Sequence, residues 1–245
     1  MKFVRLGDVA RIVGGGSLVR SNSACWNGSI PWVTVMDIRG ARINDPLARI
    51  TEFGLKESAS NLLPVGSILV PASMTFENVV INDVPVAINK DLTAIIVESP
   101  AIDRNYIQLF LLSKTNNLEL YGKVGMKNGG DATEVLADID IPLQPLEEQR
   151  RIALILDKSD AIRKKRRATL NLADSFLHSI FLDKFGEPVM NPKELPVPPI
   201  AVQKRYTQIH NKMISIKEKL ANELVQSNIL FDSLAASVFT SSEAA

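Results

Sequence analysis

The chain has 245 residues, 46% of them hydrophobic and 22% charged, with a formal net charge of +1. That balance excludes a disordered chain and a uniformly basic nucleic-acid binder. Cys25 is the single cysteine, so there is no intrachain disulfide, and a reducing compartment is expected. No apolar run approaches the roughly 20 residues of a membrane span. The N-terminal stretch MKFVRLGDVARIVGGG lacks the apolar core of a secretory leader, so the expectation is a cytoplasmic protein with no membrane partner. Residues 1–145 hold 13 Lys+Arg against 15 Asp+Glu, and the last 100 residues hold 15 against 12. Contact with a polyanion must therefore come from a local patch.

Up to about residue 145 the chain is rich in Val, Ile, Thr, Gly and Pro, in short runs broken by turn residues. IPWVTVMDI (30–38), GSILVPA (66–72), NVVIND (78–83) and LTAIIVE (92–98) read as strands, with NDVP (82–85) and NKD (89–91) as tight turns. ITEFGLKESASNLL (50–63) reads as a short helix ending before Pro64. NYIQLFLLSKTNNLELYG (105–122) reads as a stronger one, with Ile107, Leu111, Leu118 and Tyr121 at helical spacing and Gly122 as a stop. Strands mixed with helices predict an α+β globule built on a curled, mixed sheet.

From Glu147 to Phe185 there is no Gly or Pro. Ile152, Ile155, Ser159, Ile162, Arg166, Thr169, Ala173, Phe176 and Ile180 alternate by three and four, a heptad seam whose middle is polar. A second such stretch runs from about Ala201 to Phe239, with seam candidates Tyr206, Ile209, Met213, Ile216, Leu220, Leu224, Leu230, Leu234 and Val238. Each helix would be on the order of 55 Å long and must bury its stripe against something. Between them FGEPVMNPKELPVPP (185–199) has five prolines and reads as a connector.

The two helices are copies. PLQPLEEQRR (142–151) and PVPPIAVQKR (196–205) share the pattern P-x-x-P-x-x-x-Q-[RK]-R at an offset of 54. Near the helix ends Asp174-Ser175 and Phe181 align with Asp232-Ser233 and Phe239 at an offset of 58. The four extra residues predict a stutter in the second helix. P-x-x-P supplies a stiff lead-in, and Glu147 and Glu148 suit the positive end of the first helix.

IPLQPLEEQRRIALILDKSDAI, followed by SFLHSIF, resembles the conserved spacer of the specificity subunit of type I restriction–modification systems. LGDVARIVGGGS, CWNGSIPWVT, GLKESASNLLPVGSILV and INDVPVAINKDL are similar to that family's target recognition domain. The resemblance covers nearly the whole chain. It implies a recognition domain over 1–145, a spacer helix over 146–184, the proline-rich connector over 185–200 and a second spacer helix over 201–240. It implies one mixed-sheet domain followed by two long antiparallel α-helices, a coiled-coil hairpin. Family members run domain, helix, domain, helix. Here FGEPVMNPKE resembles the entry to a second recognition domain and LPVPPIAVQ its exit, with the roughly 150 residues expected between them missing.

The implied function is non-catalytic. One DNA half-site is read on double-stranded DNA, and the helices dock methyltransferase subunits, with translocating restriction subunits as further partners. The alternative is an assembly or regulatory module that binds methyltransferase subunits without reading DNA. A hairpin closed within one chain allows a monomer, whereas helix exchange would make a homodimer that restores two readers.

Reading base edges takes Arg, Lys, Asn, Gln, Ser and Thr on loops. The candidates are Ser17, Arg20, Ser21 and Asn22 behind Gly14-Gly15-Gly16; Thr34 and Arg39; Ser73, Thr75 and Asn78; Asn89 and Lys90; and Lys123, Lys127, Asn128 and Thr133. Gly14-Gly15-Gly16 reads equally as a flexible loop, SMTFEN (73–78) as an ordinary hairpin turn and KNGGD (127–131) as turn chemistry. Trp26 and Trp32 read as core or turn packing. RKKRR (163–167) reads either as a solvated helix turn or as a phosphate contact, and the less basic KEKLA (217–221) in the second copy suggests that pairing does not need it.

The chain has no G-x-x-x-x-G-K-[ST] loop, and no strand–G-x-G-x-x-G–helix unit is expected around Gly14-Gly15-Gly16. His178 and His210 fall on different predicted helices, and with one cysteine no zinc set is expected. No catalytic residue, metal or cofactor is assigned to this chain.

Overall fold

The structure is a computed structural model, which describes residues 2–38, 40–72, 78–114, 132–185 and 199–239. It divides into two compact units, Met1–Leu156 with Ala235–Ala245, and Asp157–Leu234. Arg39, residues 73–77, 115–131 and 186–198 lie outside the described residues. With them lie the candidates Arg39, Ser73, Thr75, Lys123, Lys127 and Asn128, most of the proline-rich connector and the end of the helix expected over 105–122.

In the first unit the elements run β1 (Lys2–Arg5), α1 (Leu6–Val9), β2 (Ala10–Gly14), β3 (Trp26–Val33), β4 (Arg42–Ile43), β5 (Ala48–Ile50), α2 (Glu52–Glu57), β6 (Ile68–Pro71), β7 (Val80–Asn82), β8 (Ala87–Ile88), β9 (Leu92–Val97), α3 (Arg104–Ser113), α4 (Ala132–Ala137) and β10 (Asp140–Leu143). A five-stranded sheet has the order β2-β9-β6-β7-β4, a three-stranded sheet β5-β3-β8, and β1 pairs with β10. The pairs β4–β7 and β3–β8 are parallel and the rest antiparallel. The fold is thus α+β with mixed sheets, as expected, though the described strands fall into three sheets and not a single curled one.

The central strands have almost unbroken apolar sequences because both faces are covered. Every residue of β6 is buried, as are Leu92–Ile96 of β9. Val33, Leu63, Leu69, Val80, Val86, Ile88 and Leu92 belong to one core cluster. The region 34–38 leaves strand geometry. Thr34 caps a 3-10 turn over Val35–Asp37, its N–H and hydroxyl both donating to the Asp37 carboxylate at 2.8 Å. Helix α3 is buried from Tyr106 through Leu112. Asp103 caps it by accepting from the N–H groups of Asn105 and Tyr106. The Tyr106 hydroxyl donates to the Pro142 carbonyl at 2.9 Å, and burial drives this phenol above its ordinary range.

Two long helices follow, α5 (Leu146–Phe185) and α6 (Ile200–Phe239). Both start on the second proline of the repeated pattern: the Gln149 N–H donates to the Pro145 carbonyl at 3.0 Å and the Gln203 N–H to the Pro199 carbonyl at 3.2 Å. Gln149 is fully buried. Its Oε1 accepts from the Asp103 N–H, and its Nε2 donates to the Ala101 and Gln144 carbonyls, all at 2.8 Å. The motif glutamine therefore ties the first turn of α5 to the chain entering α3. In the same unit Phe239 packs edge-on to Tyr106 and Phe110, with centroids 5.4 and 5.1 Å away.

Within the second unit the helices run antiparallel. Arg166 donates to the Glu223 carbonyl and Ser227, Asp174 pairs with Lys217, and Phe181 meets Tyr206, so numbers rise along one helix as they fall along the other. The buried stripe of α5 is Ile152, Leu156, Ser159, Arg163, Arg166, Leu170, Ala173, Leu177 and Ile180. Every seventh residue of the expected seam holds. The intervening member lies one position later, and Ile155, Ile162, Thr169 and Phe176 are exposed instead. In α6 the stripe continues 206, 210, 213, 217, 220, 224, 227, 231, 234, 238 without a break. The expected stutter is absent, and Ile216 and Leu230 lie off the seam.

RKKRR is not a wholly solvated turn, and two of its arginines meet the facing helix. Asp160 is 4% exposed and binds Arg163 at 2.5 Å and Lys164 at 2.7 Å. The Arg163 guanidinium lies 4.2 Å from the centroid of the Phe231 ring. With Arg166 on Glu223 and Ser227, three of the five cations are held in or beside the seam, and Lys165 and Arg167 stay exposed.

Candidate nucleic-acid interface

The glycines after β2 are clamped, which excludes the flexible-loop reading. The Gly15 N–H donates to the Leu92 carbonyl and the Gly16 N–H to Ile88, each at 3.0 Å, and the Ser17 N–H donates to Ser58 at 2.9 Å. A Cβ on Gly15 would fall 1.9 Å from the Asn89 carbonyl oxygen, and one on Gly16 2.0 Å from that of Ser58. Only glycine lets the backbone pass this close. The crossing holds residues 17–20 beside the turn at 89–92, which the Leu92 N–H closes on the Asn89 carbonyl.

The result is a cleft of about 530 Å³ lined by Gly16, Ser17, Leu18, Arg20, Trp26, Asn27, Trp32, Thr34, Ala48, Asn89 and Lys90. Candidates from three separate segments of sequence thus meet: Ser17 and Arg20, Thr34, and Asn89 with Lys90. The parallel pairing of β3 with β8 places the ends of both strands, Thr34 and Asn89, side by side. Trp32 is buried and Trp26 half-buried, edge-to-face at 6.4 Å between centroids. The Trp26 indole N–H donates to the Val19 carbonyl. The two rings do pack, as expected, but they also form a wall of the cleft.

The electrostatics are one-sided. The lining holds Arg20 and Lys90 and no carboxylate. Neither cation has an ion-pair partner among the described residues, whereas Arg5, Arg11, Arg42 and Arg49 are paired with Asp138, Glu98, Asp83 and Asp45. A second concavity in this unit mixes Arg104 and Arg150 with Glu98 and Asp103, so it has no comparable field. Ser17, Arg20 and Lys90 have exposed side chains, while Thr34 is held by Asp37 and the Asn89 amide donates to Asp91 at 2.8 Å. Free cations with fixed hydroxyl and amide groups can grip phosphate oxygens and present hydrogen-bonding edges to bases.

The other candidates do not line the cleft. Ser21 is exposed, and Asn22 caps the 3-10 turn Ser23–Cys25 by accepting from the Ala24 N–H. Asn78 is exposed and Thr133 lies half-buried in α4. Asn27, which sequence reasoning passed over, is at the cleft with φ of +62°. The Asn27-Gly28 pair is the signal that could have found it, since that dipeptide marks left-handed turns.

The described residues thus form a mixed-sheet unit with a cation-lined cleft and an antiparallel pair of long helices that share a repeated sequence pattern. The chain belongs to the family described as the type I restriction modification DNA specificity domain, whose model matches residues 1–172. It is 28% identical over 171 residues to the Type I restriction enzyme EcoR124I/EcoR124II specificity subunit of Escherichia coli, covering 66% of this chain and 41% of that protein. It is 24% identical over 188 residues to the Type I restriction enzyme MjaIX specificity subunit of Methanocaldococcus jannaschii, covering 74% of this chain and 43% of that one. The chain thus spans about two fifths of the length of these curated relatives. A chain from a solved structure concerned with complex assembly and conformational transition of the type I R-M system matches with a TM-score of 0.50 at 17% identity, over 96% of this chain and 44% of that one. That likeness is one of fold.

Proposed function

We propose that this protein is a DNA-recognition subunit of a type I restriction–methylation assembly. Residues 1–145 form the recognition domain, which reads one half-site of double-stranded DNA with the face around the Ser17–Arg20–Thr34–Asn89–Lys90 cleft. Arg20 and Lys90 take phosphates, and Ser17, Asn27, Thr34 and Asn89 face base edges. The chain itself catalyses nothing. Methyltransferase subunits docked on α5 and α6 supply the base chemistry, and restriction subunits join the same assembly. The observation that carries the reading is the convergence of two unpaired cations on a lining without carboxylates, in a chain whose family is defined by DNA specificity.

The test is selection from a randomised duplex library by the purified chain together with a type I methyltransferase subunit. Enrichment of a defined motif, lost in an Arg20→Ala/Lys90→Ala variant, is expected. The helices pair within one chain, which supports a single short half-site. An interrupted palindrome would instead mean that two chains read together. The even charge balance of residues 1–145 favours one competing reading, an assembly module that does not read DNA. That reading predicts retained methyltransferase with no enriched sequence, and such a result would overturn the proposal.

A further inference from the structure

The rim of the cleft carries an apolar tip that the core of the first unit does not use. Met36 is 71% exposed and Leu47 88%, and Val35 beside Met36 is exposed as well. They come from two segments. Met36 sits in the 3-10 turn Val35–Asp37 that follows β3, and Leu47 immediately precedes β5. Met36 and Leu47 line one concavity of about 230 Å³.

A single side chain joins the two segments. Asp37 accepts at one oxygen from the N–H and the hydroxyl of Thr34, each at 2.8 Å, and at the other from the Leu47 N–H at 3.2 Å. β5 then pairs antiparallel with β3, Ala48 opposite Trp32. The backbone that carries Met36 and Leu47 is therefore fixed, although their side chains meet water. Large apolar side chains exposed together on a fixed turn have the form of a contact surface.

The place of this tip selects its partner. Thr34 and Ala48 line the cation-bearing cleft, and Met36 lies two residues from the first and Leu47 one residue from the second. That is at most about 7 Å of chain. A duplex held at Arg20 and Lys90 comes within reach of the tip. The two carboxylates of the concavity are engaged, Asp37 on the turn and Asp45 on Arg49 at 3.1 Å, which lowers their repulsion of a polyanion.

Apolar side chains cannot read the donors and acceptors of a base edge. The apolar group that a base pair presents in a groove is the 5-methyl of thymine, in the major groove. We infer that Met36 and Leu47 form a thymine-methyl reader at the rim of the cleft, a specificity element beside the hydrogen-bonding groups within it. The inference rests on the DNA-reading function proposed above and adds the feature of the base pair that this turn selects. A methyl seated against both side chains leaves water. Deoxyuridine pairs as thymine does and lacks only that methyl, so it forfeits the contact and nothing else.

The test starts from the motif enriched with the methyltransferase subunit. Duplexes of that motif are made with deoxyuridine replacing each thymine in turn, on either strand. Binding by the chain with the same subunit is measured by fluorescence anisotropy. In the parent chain the replacement should weaken binding about fourfold at one or two positions, the worth of one buried methyl-sized group. A Met36→Ser/Leu47→Ser variant should bind the thymine and deoxyuridine duplexes alike at those positions, with the parent's tryptophan fluorescence and urea midpoint. Asp37 holds residue 47 by its backbone N–H, so the variant keeps that bond. Leu47→Ser alone, at the more exposed position, should lower the discrimination partway and guards against a misfolded double variant. Equal affinity for thymine and deoxyuridine at every position in the parent overturns the inference, as does a motif without an A·T pair. Discrimination that survives in the double variant also overturns it. Loss of methyltransferase retention or of self-association alongside would then assign the tip to a protein contact or to a second copy. Absence of any enriched motif sinks the DNA-reading proposal and this inference with it, whereas an enriched motif read without regard to the methyl sinks this inference alone.

Discussion

Gln149→Ala tests whether the motif glutamine is a structural staple. The side chain is fully buried and makes three hydrogen bonds of 2.8 Å, to the Asp103 N–H and to the Ala101 and Gln144 carbonyls. Truncation removes the side-chain partner of one N–H and two carbonyls. A typical bond is worth about 1 kcal/mol net, and an orphaned buried group costs about 1–3 kcal/mol. Neighbouring losses are not additive, so the expected destabilisation is about 3–5 kcal/mol. At roughly 2–4 °C per kcal/mol for a domain of this size, the first unit should melt on the order of 10 °C lower. The assay is urea unfolding of the chain by tryptophan fluorescence, with Trp26 and Trp32 both in that unit.

Gln149→Glu sharpens the test. Its carboxylate still accepts from the Asp103 N–H but cannot donate to either carbonyl. Burial beside two carbonyl oxygens would raise its folded pKa above the unfolded value, so its deficit against the parent should shrink as pH falls. A loss under about 1 kcal/mol for Gln149→Ala, or a Gln149→Glu deficit independent of pH, would refute the staple.

Arg20→Ala and Lys90→Ala should each lower the slope of log affinity for DNA against log salt by about 0.9, one phosphate contact apiece. An unchanged slope, read by fluorescence anisotropy across salt concentrations, would remove that residue from the interface. Gly15→Ala drives a Cβ into the Asn89 carbonyl. It should cost about 2 kcal/mol or more in chemical denaturation and weaken DNA binding through the displaced Asn89–Lys90 turn. Asp160→Ala strips Arg163 and Lys164 of their shared, nearly buried partner, but both cations keep access to solvent. About 1–3 kcal/mol of helical stability should be lost by circular dichroism melting, while the fluorescence of Trp26 and Trp32 stays native.

The sequence by itself determined the α+β texture of the first unit, the two long helices and their duplication, because each is written in local periodicity or in self-similarity. It also determined every seventh residue of the helix seam. It could not choose the intervening member. Apolar residues stand at both available positions in α5, Ile155, Ile162 and Phe176 at one and Leu156, Leu170 and Leu177 at the other. Only the facing helix selects between them, as where the Phe231 ring packs against the Arg163 guanidinium.

The same limit governs the cleft. Ser17, Arg20, Thr34, Asn89 and Lys90 were legible singly as loop residues of the right chemistry, yet Ser21, Asn22 and Thr133 had equal claims. What joined five of them and left out the others was the parallel pairing of β3 with β8 and the clamp at Gly15 and Gly16. The longest of those contacts, Gly15 to Leu92, links positions 77 residues apart (92 − 15). Local pattern records which way a side chain can point. Which side chains meet is set by long-range backbone pairing and close approach, which only the folded chain decides.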